Sequence, residues 1–178
     1  ARAAQEIPGL TRDVVGLGIY YDAAVTAPER LLWELLRDGM AAKPGNAALN
    51  WTAVTGQADG VVELTGPEGA VVRVRPGLVV NAGGPWIDRV NAALGIETRL
   101  IGGTKGAHIL IDHPEFLRQL AGRMVYFESD DGRILLALPY HGKVLVGATD
   151  IPAEDPDNVV CDADEIAYFM ERLRALLP

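Results

Sequence analysis

Residues Leu78–Trp86 read Leu-Val-Val-Asn-Ala-Gly-Gly-Pro-Trp. Leu78, Val79 and Val80 are apolar in succession, without alternation, which predicts a short strand buried on both faces. Two glycines and a proline follow at once. Then Ile87, Val90 and Leu94 fall at helical spacing, with Gly95 as a stop. A strand turning into a helix through paired glycines belongs to an α/β sheet. Open sheets of that kind bind ligands at the carboxyl ends of their strands. Glycine lets the backbone approach a ligand, and the helix start offers unpaired N–H groups. A tight strand-to-helix turn without any ligand satisfies the same residues.

Upstream, Val61–Leu64 and Val71–Val74 predict a hairpin around Gly66-Pro67-Glu68-Gly69, and Ala48–Thr55 predicts a further strand. Thr26 and Glu29 have capping-box spacing, and Leu31, Leu32, Leu35, Leu36 and Met40 mark an apolar helix face that ends before Pro44-Gly45. Val14–Asp22 is β-rich and reads as a strand. Downstream the pattern changes. His108–Ile111, Met124–Glu128, Ile134–Leu138 and Val144–Val146 are strand-like, and Asp130-Asp131-Gly132 and His141-Gly142 are turns between the last three. That is an antiparallel meander. Asp162 with Glu165 then opens an amphipathic helix through Ile166, Phe169, Met170, Leu173 and Leu177. The shift near Arg99 sets a boundary. The expected fold is mixed α/β (α+β): residues 1–28 a strand and connection, 29–99 α/β material, 100–178 an antiparallel sheet with its helix.

The charge excludes some functions. Lys plus Arg is 16 and Asp plus Glu is 24, a net −8 over 178 residues. With no basic run, nucleic acid is not an expected partner. One cysteine, Cys161, excludes an internal disulfide and a cysteine-cluster metal site. No apolar stretch reaches the ~20 residues of a membrane span. The chain opens on Ala1 without a targeting segment, which suggests a piece of a longer protein.

Among chemical candidates, Gly102–His108 is a glycine-rich loop carrying Lys105. It fits either a phosphate contact or a flexible crossover. His108 heads an apolar strand, as a core histidine or a base. Arg133 fits an anion clamp or an ordinary surface position. The three histidines lack zinc spacing, no EF-hand spacing surrounds Asp150 and Asp155, and no metal is expected. A GxSxG elbow is absent.

Taken in order, NAGGPWIDRV (81–90), GTKGAHILI (103–111), DGRILLALPYHGKVLVGATD (131–150) and DADEIAYFMERL (162–173) resemble the flavin-dependent glycerol-3-phosphate dehydrogenases, within the D-amino-acid-oxidase-like flavoproteins. YYD at 20–22 and ERLLWELLRDGMAA at 29–42 are similar to the same family. The resemblance covers about Val14 to Leu177. Gly83 stands where that family commonly has Ala or Thr, Ala148 where it often has Thr, and Asp112-His113-Pro114 where basic residues often follow.

The resemblance implies part of a glutathione-reductase-like FAD-binding domain in 29–99 and a substrate-domain sheet in 100–178. It implies an internal fragment lacking the GxGxxG segment and the C-terminal part, inactive and without FAD when alone. The parent would oxidise glycerol 3-phosphate to dihydroxyacetone phosphate, with FAD taking the hydride and a quinone the electrons. It would sit peripherally on the cytoplasmic face of the cytoplasmic membrane. Val54, Ala82, Gly83 and Gly84 take cofactor-facing places. Lys105, His108 and Arg133 take substrate-side places, with Lys105 and His108 as the candidates for catalysis, and Thr149 joins the substrate set. A related oxidase of an amine or a 2-hydroxy acid, and a non-catalytic module of the same fold, are the alternatives. The apolar faces around Leu78–Asn81 and Leu31–Met40 are expected to be exposed or covered by a second copy.

Overall fold

The computed structural model describes residues 5–178, so the opening four residues of the expected first segment lie outside it. The chain divides into two compact units. One joins the residues up to Ile19 with Gly103–Pro178, and the other is Tyr20–Gly102.

The first unit holds the expected antiparallel sheet. Its strands are β5 (His108–Ile111), β6 (Val125–Glu128), β7 (Ile134–Tyr140) and β8 (Lys143–Gly147), in the order β5-β8-β7-β6. Every pairing is antiparallel. Alternation decides which face is buried. Leu135 and Ala137 of β7 and Val144 and Val146 of β8 point inward, against Phe116 and Leu120 of helix α3 (Pro114–Leu120) and Phe169 and Leu173 of helix α4 (Ala163–Leu176). Helix α4 begins with the predicted capping box: Asp162 accepts from the Glu165 amide, and Glu165 accepts from the Asp162 amide. Helix α3 was not evident from periodicity because it spans only two turns. Pro114 supplies its first position, and His113 Nδ1 accepts the Phe116 amide at 3.0 Å. Two short strands, β4 (Thr104–Lys105) and β9 (Ile151–Pro152), pair beside the sheet. The run Val14–Asp22 forms no strand. Val14 to Leu17 border an open groove of about 590 Å³ along β6 instead of joining its ladder.

In the second unit, β1 (Ala53–Ala58), β2 (Val61–Thr65) and β3 (Val71–Val74) form a three-stranded antiparallel sheet in that order. The expected hairpin is its second half. The strand expected over Ala48–Thr55 starts later, at Ala53, and runs on to Ala58 because those residues find partners on β2. Helix α1 (Pro28–Ala42) starts one residue beyond the expected box: Ala27 is its N-cap, Thr26 makes no capping bond, and Pro28 opens the first turn. Helix α2 (Ile87–Ala93) ends at Leu94 with Gly95 at φ +77°, as its sequence predicts. It packs on β1.

One expectation is overturned here. Leu78–Val80 is not a buried strand: no strand is assigned there, and Leu78 and Val80 are 81% and 79% exposed. A central strand needs a ladder on both sides, and among the described residues none pairs with this run.

Candidate functional site

The first unit places the sequence-predicted substrate residues at one end of its sheet but on different faces: His108 lies over Gly147 on the face away from the helices, whereas Arg133 and Lys105 meet Tyr168 and Glu165 of helix α4. His108 opens β5 and pairs with Gly147, which closes β8 and pairs in turn with Leu136 of β7. Thr149 lies two residues past the end of β8, Lys105 three residues before β5, and Arg133 immediately before β7. His108 and Arg133 therefore head strands that run in the same direction, two strand spacings apart, or about 10 Å across the sheet. Val54, Ala82, Gly83 and Gly84 belong to the other unit.

Lys105 is fully engaged. Its Nζ donates to Val160 O at 2.8 Å, Asp162 Oδ2 at 3.2 Å and Glu165 Oε2 at 2.8 Å. An ammonium has three donors, so none is left for a ligand in this arrangement. The Glu165 side chain is 1% exposed, and its second oxygen accepts the Thr149 hydroxyl at 2.6 Å. Thr149 in turn accepts the Ala107 amide at 2.8 Å. Burial pushes the Glu165 carboxyl up. The bonds from Lys105, Thr149 and the Asp162 amide outweigh that and hold it below its ordinary value. The Lys105 ammonium is raised, first by its bond to Glu165. Glu165 was legible only as a capping residue; its partner stands 60 residues upstream.

The glycines of the 102–108 loop bring segments together. A side chain at Gly103 would meet Ala153 O at 2.4 Å, and one at Gly106 would meet Thr149 O at 3.0 Å. They serve close backbone contact, the reading that the loop sequence alone left unweighed.

Arg133 sits on the turn between β6 and β7. Its guanidinium lies 5.5 Å from the Tyr168 ring centre and 3.8 Å from Asp131, and it remains 43% exposed. Ser129, then the Arg133 amide and the Tyr168 hydroxyl, bond to Asp131 and hold its carboxyl down at about 2. Tyr168 is one turn beyond Glu165, so helix α4 supports both the Lys105–Thr149 cluster and the Arg133 turn. Among the described residues, no three His, Cys, Asp or Glu side chains are grouped as metal ligands.

In the second unit, Asn81 organises the glycine turn. Its Nδ2 donates to Ile87 O and to Asn91 Oδ1, and its Oδ1 accepts the Gly83 amide. A Cβ at Gly83 would lie 2.9 Å from Asn81 Oδ1, so that glycine is required by internal packing. Gly84 differs: its φ is +54°, and nothing lies within 4 Å of where its side chain would be. Ala82 and Gly84 are exposed, and Val54 is half-buried on β1. The open backbone at Gly84 fits one edge of a bound group. The 178 residues carry no GxGxxG phosphate turn. Asp88, not singled out from sequence, accepts the Leu100 and Ile101 amides and the Thr98 hydroxyl, which tie the chain after α2 back onto it.

Comparison with known proteins gives a consistent result. The profile of the FAD dependent oxidoreductase (DAO) family matches residues 1–178. The aerobic glycerol-3-phosphate dehydrogenase of Staphylococcus epidermidis is 32% identical over 152 residues, covering 80% of this chain and 26% of that protein. The glycerol-3-phosphate dehydrogenase of Synechocystis is 31% identical over 177 residues, covering 89% of this chain and 31% of that one. A crystal structure of the glycerol-3-phosphate dehydrogenase from Bacillus halodurans complexed with FAD superposes with a TM-score of 0.66 at 24% identity, over 84% of this chain and 31% of the other. That superposition establishes the fold. The chain thus spans between a quarter and a third of the length of these relatives.

Proposed function

The chain belongs to the FAD dependent oxidoreductase family, and we propose that it is part of an enzyme that oxidises sn-glycerol 3-phosphate to dihydroxyacetone phosphate. The observation that carries this reading is His108, exposed at the head of β5 on the outer face of the substrate-side sheet, with Lys105 and Thr149 bonded to Glu165 beside its loop and Arg133 on the same end but the helix face. The 32% identical relative is named for that activity. FAD, when bound, accepts the hydride from C2 of the substrate. Residues 29–99 supply the cofactor side, with Val54, Ala82, Gly83 and Gly84 along its edge, and residues 100–178 supply the substrate side.

Within the substrate side the roles divide. The exposed His108 imidazole handles the proton of the C2 hydroxyl. Arg133, with a planar fork and partial exposure, holds phosphate oxygens. Lys105 and Thr149, both bonded to the buried Glu165, support the loop that carries His108. The electrons pass on to a membrane quinone, and the whole protein associates peripherally with the cytoplasmic face of the membrane. No helix of the described residues is long and apolar enough to cross a membrane, and that is compatible with peripheral association. The 178 residues alone retain no FAD and are inactive: mixed with flavin, they leave its free fluorescence unchanged.

The test is anaerobic mixing of the FAD-loaded full-length protein with glycerol 3-phosphate. The flavin bleaches and one dihydroxyacetone phosphate forms per flavin. An unbleached flavin overturns the reading. A second reading has one observation in its favour. With the Lys105 donors satisfied internally, the set has one fewer cation for a phosphate. An amine or 2-hydroxy acid needs fewer, and bleaching by such a substrate but not by glycerol 3-phosphate selects it.

A further inference from the structure

We infer that Glu165 is a positioning residue, whose buried carboxylate sets the place of His108 through Thr149 and Ala107. The inference rests on the proposed role of His108 only for its catalytic consequence; the geometry stands by itself. One Glu165 oxygen takes the Thr149 hydroxyl, and the other takes Lys105 Nζ and the Asp162 amide. With its proton committed to Glu165, Thr149 turns its oxygen to the Ala107 amide, the N–H of the residue immediately before His108. The chain of donors runs Ala107 N–H to Thr149 O–H to Glu165, and the carboxylate end fixes its direction. An ionised acceptor makes the terminal bond a charge-assisted one.

A second observation shows that the far end of this relay is held closely. The His108 ring lies over Gly147, and a Cβ there would meet Cδ2 at 2.1 Å and Nε2 at 2.7 Å. Gly147 is two residues before Thr149 and opposite His108 in the ladder. The imidazole is thus seated on Gly147 at the end of β8, while Thr149, two residues past that same end, holds the N–H of the residue before it. Glu165 is itself held in place: it is buried in the first turn of helix α4, and its own amide donates to Asp162. In this arrangement Lys105 acts through Glu165, neutralising a buried carboxylate, and is a structural partner of His108's seat.

The test uses the FAD-loaded full-length protein and two readouts. The first is hydrogen exchange at the Ala107 amide. Thr149→Val, which keeps the shape and removes the hydroxyl, and Glu165→Gln, which removes the charge, each speed that exchange at least about tenfold, the equivalent of losing one hydrogen bond of ordinary strength. Thr149→Ser keeps the amide protected. The second readout is kinetic. Glu165→Gln lowers kcat by up to about a hundredfold, as for a reacting group displaced by an ångström, with KM changed far less. Adding Lys105→Met to Glu165→Gln costs no more than either alone, because the two are one unit. Should Glu165→Gln not fold, Thr149→Val carries the exchange and kcat tests by itself. An Ala107 amide that exchanges as in the parent, or a Lys105→Met effect that adds in full and falls on KM, overturns the inference. If the exchange results hold but the parent does not oxidise glycerol 3-phosphate, the positioning stands and the substrate assignment fails.

Discussion

The two units solve the burial problem differently. In the first, strands and helices come from the same stretch of chain, and Leu135, Ala137, Val144, Val146, Leu120 and Phe169 close on one another at no more than 1% exposure. In the second, Val62 and Leu94 are the buried apolar residues among those described, while Leu31, Leu32, Trp33, Leu35 and Leu36 of α1 stand 42–62% exposed. Both units have similar apolar sequence. What differs is how much of it is buried among the described residues. The α1 face and Leu78–Val80 carry a core's composition without its contacts. The polar set follows the same division: Lys105, Thr149 and Arg133 meet Glu165 and Tyr168 of a packed helix, whereas Gly84 offers an open backbone edge.

The largest expected effect tests the packed side. Phe169→Ala removes the centre of the cluster and costs about 3–5 kcal/mol, as buried aromatic truncations do. Denaturant unfolding measured at the first unit reads it directly. A cost below about 1 kcal/mol would mean the cluster is looser than its burial implies.

A smaller effect comes from acid. Asp131 is held from an ordinary 3.8 down to about 2, chiefly by Ser129. Its folded value is the lower one, so its contribution is present above pH 3.8 and is lost as pH falls toward 2. Glu165 and Asp162 are also lowered, so they add to the loss in the same direction below their ordinary values. Lys105 is raised, and its part is lost only above pH 10.5. Stability of the first unit therefore declines on the acid side below about pH 4–5, and Asp131→Asn flattens that decline. A variant with the parental acid slope contradicts the assignment.

The smallest effect is expected on α1. Leu32→Ala changes stability by no more than about 0.5 kcal/mol if its face is solvent-exposed. The 178-residue chain self-associates through that face in light scattering, and Leu32→Ser reduces the associated fraction. A clean monomer at high concentration removes that part of the comparison.

Much of the first unit was legible because its signals are local. Asp130-Asp131-Gly132 and His141-Gly142 mark turns, the strand-like runs Ile134–Leu138 and Val144–Val146 mark β7 and β8, and Asp162 with Glu165 marks a helix start. Leu78–Val80 misled for a physical reason: three apolar residues record what a strand is suited to face, and a ladder needs a neighbour. Helix α3 escaped because two turns with proline at the first position leave too little periodicity. The Lys105–Glu165 pair was out of reach altogether. Its members are 60 residues apart, and each has a sufficient local reading, one in a glycine loop and one in a cap.

The most direct measurement of the central claim, that the packed unit carries substrate recognition and the open one the cofactor edge, is Arg133→Ala in the full-length protein. Removing one charge-assisted donor to a phosphate costs on the order of 1.5–3 kcal/mol, one to two decades in an equilibrium constant. Flavin content stays at the parental level, and kcat/KM for glycerol 3-phosphate falls at least about tenfold. A variant that turns over glycerol 3-phosphate like the parent, or that loses its flavin, contradicts the account.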